Sequence, residues 1–253
     1  MAWRGLRRRP LRTALTWLGL VNAVASFLLL IGSSRGVEEG WQRWNRERGG
    51  HLMAVRKGAI EILSASLDAS LVGELSATPG VEAAAGELID LVFLDEGPQA
   101  VVRGWEPGSF LWSTLAFRAG QPPGDGWEAV VGEGLAAALG VDVGGTVHLP
   151  GRGLRVVGIV RGGGAMSGNL LLMPLARLQE LMERPGKLSI ITLRVQEPSS
   201  ARVAAAQAAI AREFPALRVD TTEEVASNDH VLQFFRASTW AVAPLVKVCL
   251  AEP

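Results

Sequence analysis

From Thr13 to Ser34 the chain runs for 22 residues without a charge, "TALTWLGLVNAVASFLLLIGSS". Wound as an α-helix, such a run rises about 33 Å, close to the roughly 30 Å of a bilayer's hydrocarbon layer. Arg4, Arg7, Arg8, Arg9 and Arg12 precede it with no acid among them, and Glu38 and Glu39 follow it closely. The positive-inside rule then places the amino terminus in the cytoplasm and everything after Arg35 outside. Trp17, Trp41 and Trp44 stand where interfacial aromatic belts would be. A cleavable signal peptide is the competing reading, with Ala23-Val24-Ala25 as its small residues. Those residues lie inside the apolar run, however, and the run exceeds the usual signal core of roughly 7–15 residues. An uncleaved anchor fits better, and both readings export the body of the chain. A buried core helix would leave the arginine-rich approach unexplained.

That body has the composition of a folded protein. Of the 253 residues, 48% are hydrophobic and 20% charged. The formal net charge is zero, but without the five leading arginines 20 basic residues face 25 acidic ones. Nucleic-acid binding wants a basic face on the folded body, so no nucleic-acid partner is expected. Cys249 is the single cysteine, which excludes an internal disulfide and a thiolate metal cluster.

Hydrophobic periodicity divides the rest. Val37, Trp41 and Trp44 fall at i, i+4 and i+7, predicting a stalk helix over 35–50. "HLMAV" (51–55) reads as a strand, followed by a helix near Asp68–Leu75 that Thr78-Pro79-Gly80 stops. "ELIDLVFLD" (87–95) is a second strand, turned by Glu96-Gly97-Pro98 into "QAVVRGW" (99–105). A similar strand–helix–strand rhythm recurs in "LSIITLRV" (188–195), Pro198–Glu213 and "ALRV" (216–219). Between them lie a strand "WEAVVG" (127–132) and a helix "EGLAAAL" (133–139) closed by Gly140. "TVHL" (146–149) and "LRVVGIV" (154–160) pair across "PGRG" as a hairpin. "NLLLM" (169–173) is another strand, and Pro174 opens a helix at its first turn. The expected fold class is α+β: an N-terminal transmembrane helix, then a two-lobed domain whose strand–helix–strand units bracket a β-rich middle lobe.

Chemistry is hard to find in these residues. Gly162, Gly163 and Gly164 follow a strand, as in a phosphate-binding loop, but such a loop leads at once into a helix whose amides meet the anion. Here "AMSGN" and a strand come next, so a loop between strands is the better reading. Gly32-Ser33-Ser34-Arg35-Gly36 matches the serine-hydrolase pattern, yet it sits at the end of the apolar run instead of a strand-to-helix elbow. His51, His148 and His230 have no metal-ligand spacing. Glu133 and Asp142 flank a short helix and read as solvent-facing acids. No catalytic, cofactor-binding or metal-ligating residue and no cofactor is therefore expected, and the chain reads as a non-enzyme.

The segment from Trp127 to Leu178 resembles a known family. Its "EAVVGEGLAAALGVDVGGTVHL", "VVGI", glycine-rich loop and "MPL" are similar to the extracytoplasmic core domain of MacB-like, FtsX-like ABC transporter permeases. Gly132, Leu135, Ala136, Gly144, Gly145, Val156, Gly158, Met173 and Pro174 carry the likeness, while "GGT" stands where that family commonly has "GDT". "LRRRPLRTALTWLGL" resembles the family's cytoplasmic lead-in and first membrane helix, and "TTEEVASNDHVLQFFRAST" the lead into its second. The resemblance implies a permease subunit without ATPase chemistry. Such a subunit forms a homo- or heterodimer in the lipid bilayer, pairs with a cytoplasmic ABC ATPase subunit, and exports or extracts lipids, lipoproteins, peptides or drugs. The family carries three further membrane helices after the exported domain. Here "ASTWAVAPLV" (237–246) is uncharged for ten residues, about 15 Å of helix, so the chain reads as truncated before them.

The expected organisation is a cytoplasmic lead-in (1–12), a transmembrane helix (13–34), a stalk (35–50), an extracytoplasmic core domain (51–220) and a helix leading to a truncated second membrane segment (221–253). The expected location is the cell membrane, amino terminus inside. A single-pass anchored binding or adaptor module without transport activity is the alternative.

Overall fold

The computed structural model describes residues 49–58, 66–95, 97–161 and 169–222, together with Val21 and Glu224. Apart from Val21, these belong to one compact unit spanning Gly40–Asp229. The expected lead-in, membrane helix and most of the stalk lie outside the described residues, as does nearly all of 221–253. Among the described residues no helix is long and apolar enough to cross a membrane.

In chain order the elements are β1 (Leu52–Arg56), β2 (Leu67–Asp68), α1 (Leu71–Ser76), β3 (Val81–Phe93), β4 (Gln99–Trp105) and a 3-10 turn (Phe110–Thr114). There follow β5 (Phe117–Gly120), β6 (Glu128–Gly132), α2 (Glu133–Leu139), β7 (Thr146–Leu149), β8 (Arg152–Val160), β9 (Leu170–Pro174) and α3 (Leu175–Leu181). The last are β10 (Lys187–Leu188), β11 (Ile190–Val195), α4 (Ser200–Glu213) and β12 (Leu217–Thr221). Ten strands form one mixed sheet in the order β12-β1-β11-β3-β4-β9-β6-β8-β5, with β7 paired to β8; β2 and β10 form a separate pair.

The two strand–helix–strand units do not stand apart as lobes. They interleave: β12-β1-β11-β3 is the fourth-first-third-second order of a split βαβ, ferredoxin-like arrangement. The residues between β3 and β11 build the other half of the same sheet. The halves join where β3 pairs with β4, Glu87 opposite Trp105, and within the second half β4 pairs with β9 in parallel, Val102 opposite Leu171. One sheet results because the 13-residue β3 is paired along its length, to β11 by its first part and to β4 by its second.

Helix-facing and opposite sides follow from strand alternation. Leu75, Leu135, Leu175, Leu178, Ala206 and Ile210 from the four helices share one buried cluster with Leu52, Leu88, Val102, Val131, Leu171 and Leu193 from the strands. Local signals place these helices. Ser199 caps α4, its hydroxyl accepting from the Arg202 amide at 3.3 Å, and Gly140 closes α2 in the left-handed conformation (φ 65°). Gly104 lets α3 approach β4, since a Cβ there would lie 3.0 Å from both Leu175 Cα and Leu178 Cβ. On the opposite side the 3-10 turn brings Leu111 and Trp112 over Trp105, Val130 and Leu172.

Leu178 is fully buried between α3 and the sheet. Leu178→Ala is expected to destabilise the protein by about 2–5 kcal/mol, through lost burial plus the cavity left behind, in a chemical denaturation series.

Candidate functional site

Two polar constellations stand out against this apolar frame. The first is buried at the seam between the halves. Glu87 on β3 is fully buried, and Arg103 and Thr192 nearly so. Its Oε2 accepts from Arg103 Nη1 and from Trp105 Nε1, each at 3.0 Å, and its Oε1 from the Thr192 hydroxyl at 3.4 Å. Register puts them together: Glu87 lies opposite Trp105 on β4 and opposite Ile190 on β11, and Arg103 one same-face step away opposite Ile89. Ser189 adds a link, its amide donating to the Glu87 carbonyl at 2.8 Å and its hydroxyl accepting from the Ile89 amide at 3.1 Å. Trp112 then meets Trp105 edge-on, ring centres 5.0 Å apart. A buried ion pair recovers its desolvation cost only with such added hydrogen bonds, and its best-attested use is to select one register.

The second constellation is where the chain enters and leaves the domain. The His51 amide donates to the Leu193 carbonyl at 2.8 Å, and Arg194 Nε donates to the Gly49 carbonyl at 3.2 Å. From the far end, the Thr222 amide donates to the His51 carbonyl (3.2 Å) and its hydroxyl to the Gly50 carbonyl (2.9 Å). Glu224 accepts from the Thr221 amide at 2.8 Å and from Gln207 Nε2 on α4 at 3.1 Å. The Thr221 amide, then the Gln207 amide and the Thr221 hydroxyl, hold the Glu224 carboxyl below its ordinary range against a smaller opposing effect of burial.

The residues weighed from sequence are scattered. His148 faces outward from β7 between buried Val147 and Leu149, as its alternation implies. Glu133 is half-buried and Asp142 exposed, and they share Arg118, at 3.3 and 3.8 Å. His51 instead accepts a hydrogen bond from the Val195 amide through Nδ1, at 3.0 Å. His230, the Gly32–Gly36 pattern and Gly162–Gly164 lie outside the described residues, although the element after those glycines is the strand β9, as expected. Among the described residues no group of three or more His, Cys, Asp or Glu is arranged to hold a metal ion. A shallow cavity of about 370 Å³ beside α3, lined by Ala176, Gln179, Glu180, Glu183, Pro185 and Gly186, gathers no set of catalytic groups.

Neither constellation was assigned from sequence. The first had a faint signal, one charged residue inside each of two otherwise apolar stretches, "AAAGELI" and "AVVRGW". The second had none, because its residues lie at opposite ends of the domain's chain.

Comparison with known proteins identifies the domain. Residues 13–213 match the family model described as the MacB-like periplasmic core domain. The chain belongs to that family. No curated protein matches it. Among solved structures, the MacB-like domain here resembles the extracellular domain of the noncanonic ABC-type transporter YknZ from Gram-positive bacteria. The TM-score is 0.54 at 14% identity, over 67% of this chain and 98% of that one. It also resembles the periplasmic region of MacB from Actinobacillus actinomycetemcomitans, with a TM-score of 0.53 at 14% identity, over 72% and 94% of the two chains. At that identity the likeness is one of fold. The MacB-like resemblance read from Trp127 to Leu178 is thus the family of the chain.

Two outcomes follow for the MacB-like domain. Glu87→Leu leaves Arg103 buried without that carboxylate and is expected to cost about 3–5 kcal/mol, whereas the double variant Glu87→Leu/Arg103→Met recovers most of it in urea denaturation. The Glu224 contribution is complete above the ordinary carboxylate value near 4.3 and is lost as pH falls through the lowered one. The thermal midpoint should therefore drop less steeply with acid below about pH 4 in Glu224→Gln than in the native protein.

Proposed function

We propose that this chain is a permease component of an ABC transporter. In this reading the described domain stands outside the cytoplasmic membrane, anchored by residues 13–34. A partner ATPase in the cytoplasm drives it, and two permease chains, identical or not, work together. The chain does no chemistry of its own. It converts the ATPase cycle into movement of the external domain, for export or extraction of a lipid, lipoprotein, peptide or drug.

The observation that carries this reading is the extent of the family match, which begins at Thr13, in the arginine-flanked apolar run, and continues to Glu213, the end of α4. An apolar run of membrane-spanning length and an α+β domain belong to one family unit. The meeting of Gly50 and His51 with Thr222 supports it physically, because both flanking segments depart from one place on the domain. A displacement in those segments would act on the sheet at a single point.

The test is affinity purification of the tagged full chain from membranes crosslinked in place, with mass spectrometry of the partners. Recovery of an ATP-binding-cassette subunit, and stimulation of its ATP hydrolysis when the pair is placed in nanodiscs, is the expected result. Purification of the chain without such a subunit favours an anchored binding module instead. In spheroplasts, added protease should remove the domain; a protected domain overturns the topology.

A further inference from the structure

His51 marks the point where the chain enters the sheet, and its imidazole does a job that backbone does elsewhere. The β1–β11 ladder runs out at His51, whose amide meets the Leu193 carbonyl. The next β11 amide facing that side belongs to Val195, two residues on. Beside it the β11–β3 register shifts between Arg194 and Val195, a bulge of the kind that interrupts a ladder. The Val195 amide donates to His51 Nδ1 at 3.0 Å. One imidazole nitrogen thus continues the ladder past its last backbone rung, and the same residue's carbonyl receives the amide of Thr222 from the other end of the domain.

We propose that His51 is a proton-operated latch between the sheet and the segments that enter and leave it. Accepting from Val195 requires a lone pair on Nδ1, so the neutral ring carries its proton on Nε2. Taking up one proton turns Nδ1 into a donor, and two N–H groups then face each other where a hydrogen bond had been. The imidazolium also meets a cation: Arg194, which donates to Gly49, lies 3.9 Å from Glu82 on β3 and covers the Phe110 ring at 4.3 Å.

The charged groups around the ring are few among the described residues. Arg194 comes from β11 and Glu82 from β3. On β12, Asp220 is engaged by Arg218 at 2.8 Å, and beyond it Glu224 is held by Thr221 and Gln207. Burial first, then Arg194, holds the His51 ring below its usual value near 6.5, with Glu82 opposing. A histidine lowered in the folded state contributes stability that is complete above its ordinary value and lost as pH falls through the lowered one. The latch is therefore closed near neutrality and opens in mild acid. This rests on the proposed export of the domain, since an external face meets the acidity of the surroundings.

The test is hydrogen exchange of the full chain in nanodiscs from pH 8 to pH 5, corrected for the intrinsic pH dependence of exchange. Protection of the Val195 and Thr222 amides should fall by roughly two- to tenfold across the His51 titration, the size expected for losing one hydrogen bond, while the Leu171 and Leu172 amides stay protected. In His51→Asn the side-chain oxygen replaces Nδ1 as acceptor without titrating, and the two amides should stay protected at every pH. In His51→Leu they should exchange fast throughout. A flat native profile, or a His51→Asn profile that follows the native one, overturns the latch. The native profile decides even if a variant does not fold. A failed latch leaves the transporter reading standing, and a failed recovery of the ATPase leaves the exchange result intact.

Discussion

One buried carboxylate holds the arrangement on which the rest depends. Glu87 sits in β3, the edge strand of the ferredoxin-like half, and it is answered by Arg103 and Trp105 on β4, the strand that begins the other half. Because side chains alternate across a strand, a slip of one residue in β3–β4 pairing would turn Glu87 into the helix-packed core and Leu88 out of it. A charge there would have no partner and would cost several kcal/mol. The network therefore does more to specify the seam than to add stability. With the seam specified, β4 can receive β9, and through β9 the whole second half.

The same logic explains why the domain is one sheet. Strands β4 and β9 pair in parallel, far apart in the chain, and the connection between them holds the turn, strands and helix of the second half. The 3-10 turn seats Trp112 against Trp105, so the outer half packs onto the side of the seam that Glu87 occupies. The helices lie on the other side. For a domain proposed to pass on movement, a continuous sheet has a clear consequence. A displacement applied where the chain enters and leaves is carried from one half to the other by hydrogen-bonded strands.

Much of the frame was legible in advance, and the reasons are local. β6, α2, β7 and β8 are bounded by turn residues and strict alternation within a few positions, and the structure places them within one or two residues of expectation. The helix before β12 begins at a serine cap and follows one apolar face. The β5 strand and the 3-10 turn escaped notice because "FRAG" and "FLWST" are short and owe their form to packing on β8 and Trp105. The strand–helix–strand units bracketing a β-rich middle were legible too, but that the two units interleave and share one sheet with the middle is not written in that rhythm.

By itself the sequence determined the arginine-flanked apolar run, the periodicity of most helices and strands, and, through a run of glycines and a "MP" step at fixed places, the MacB-like family. These are local patterns of charge, polarity and turn chemistry, and they act over a few residues. Only the tertiary structure decided that two strand–helix–strand units interleave, that Glu87 and Arg103 meet out of water, and that His51 completes a ladder at Val195 while Thr222 returns to it. Those contacts join residues from 16 to 172 positions apart. They exist only once the sheet's register has been chosen, and that choice belongs to the packing of the whole domain.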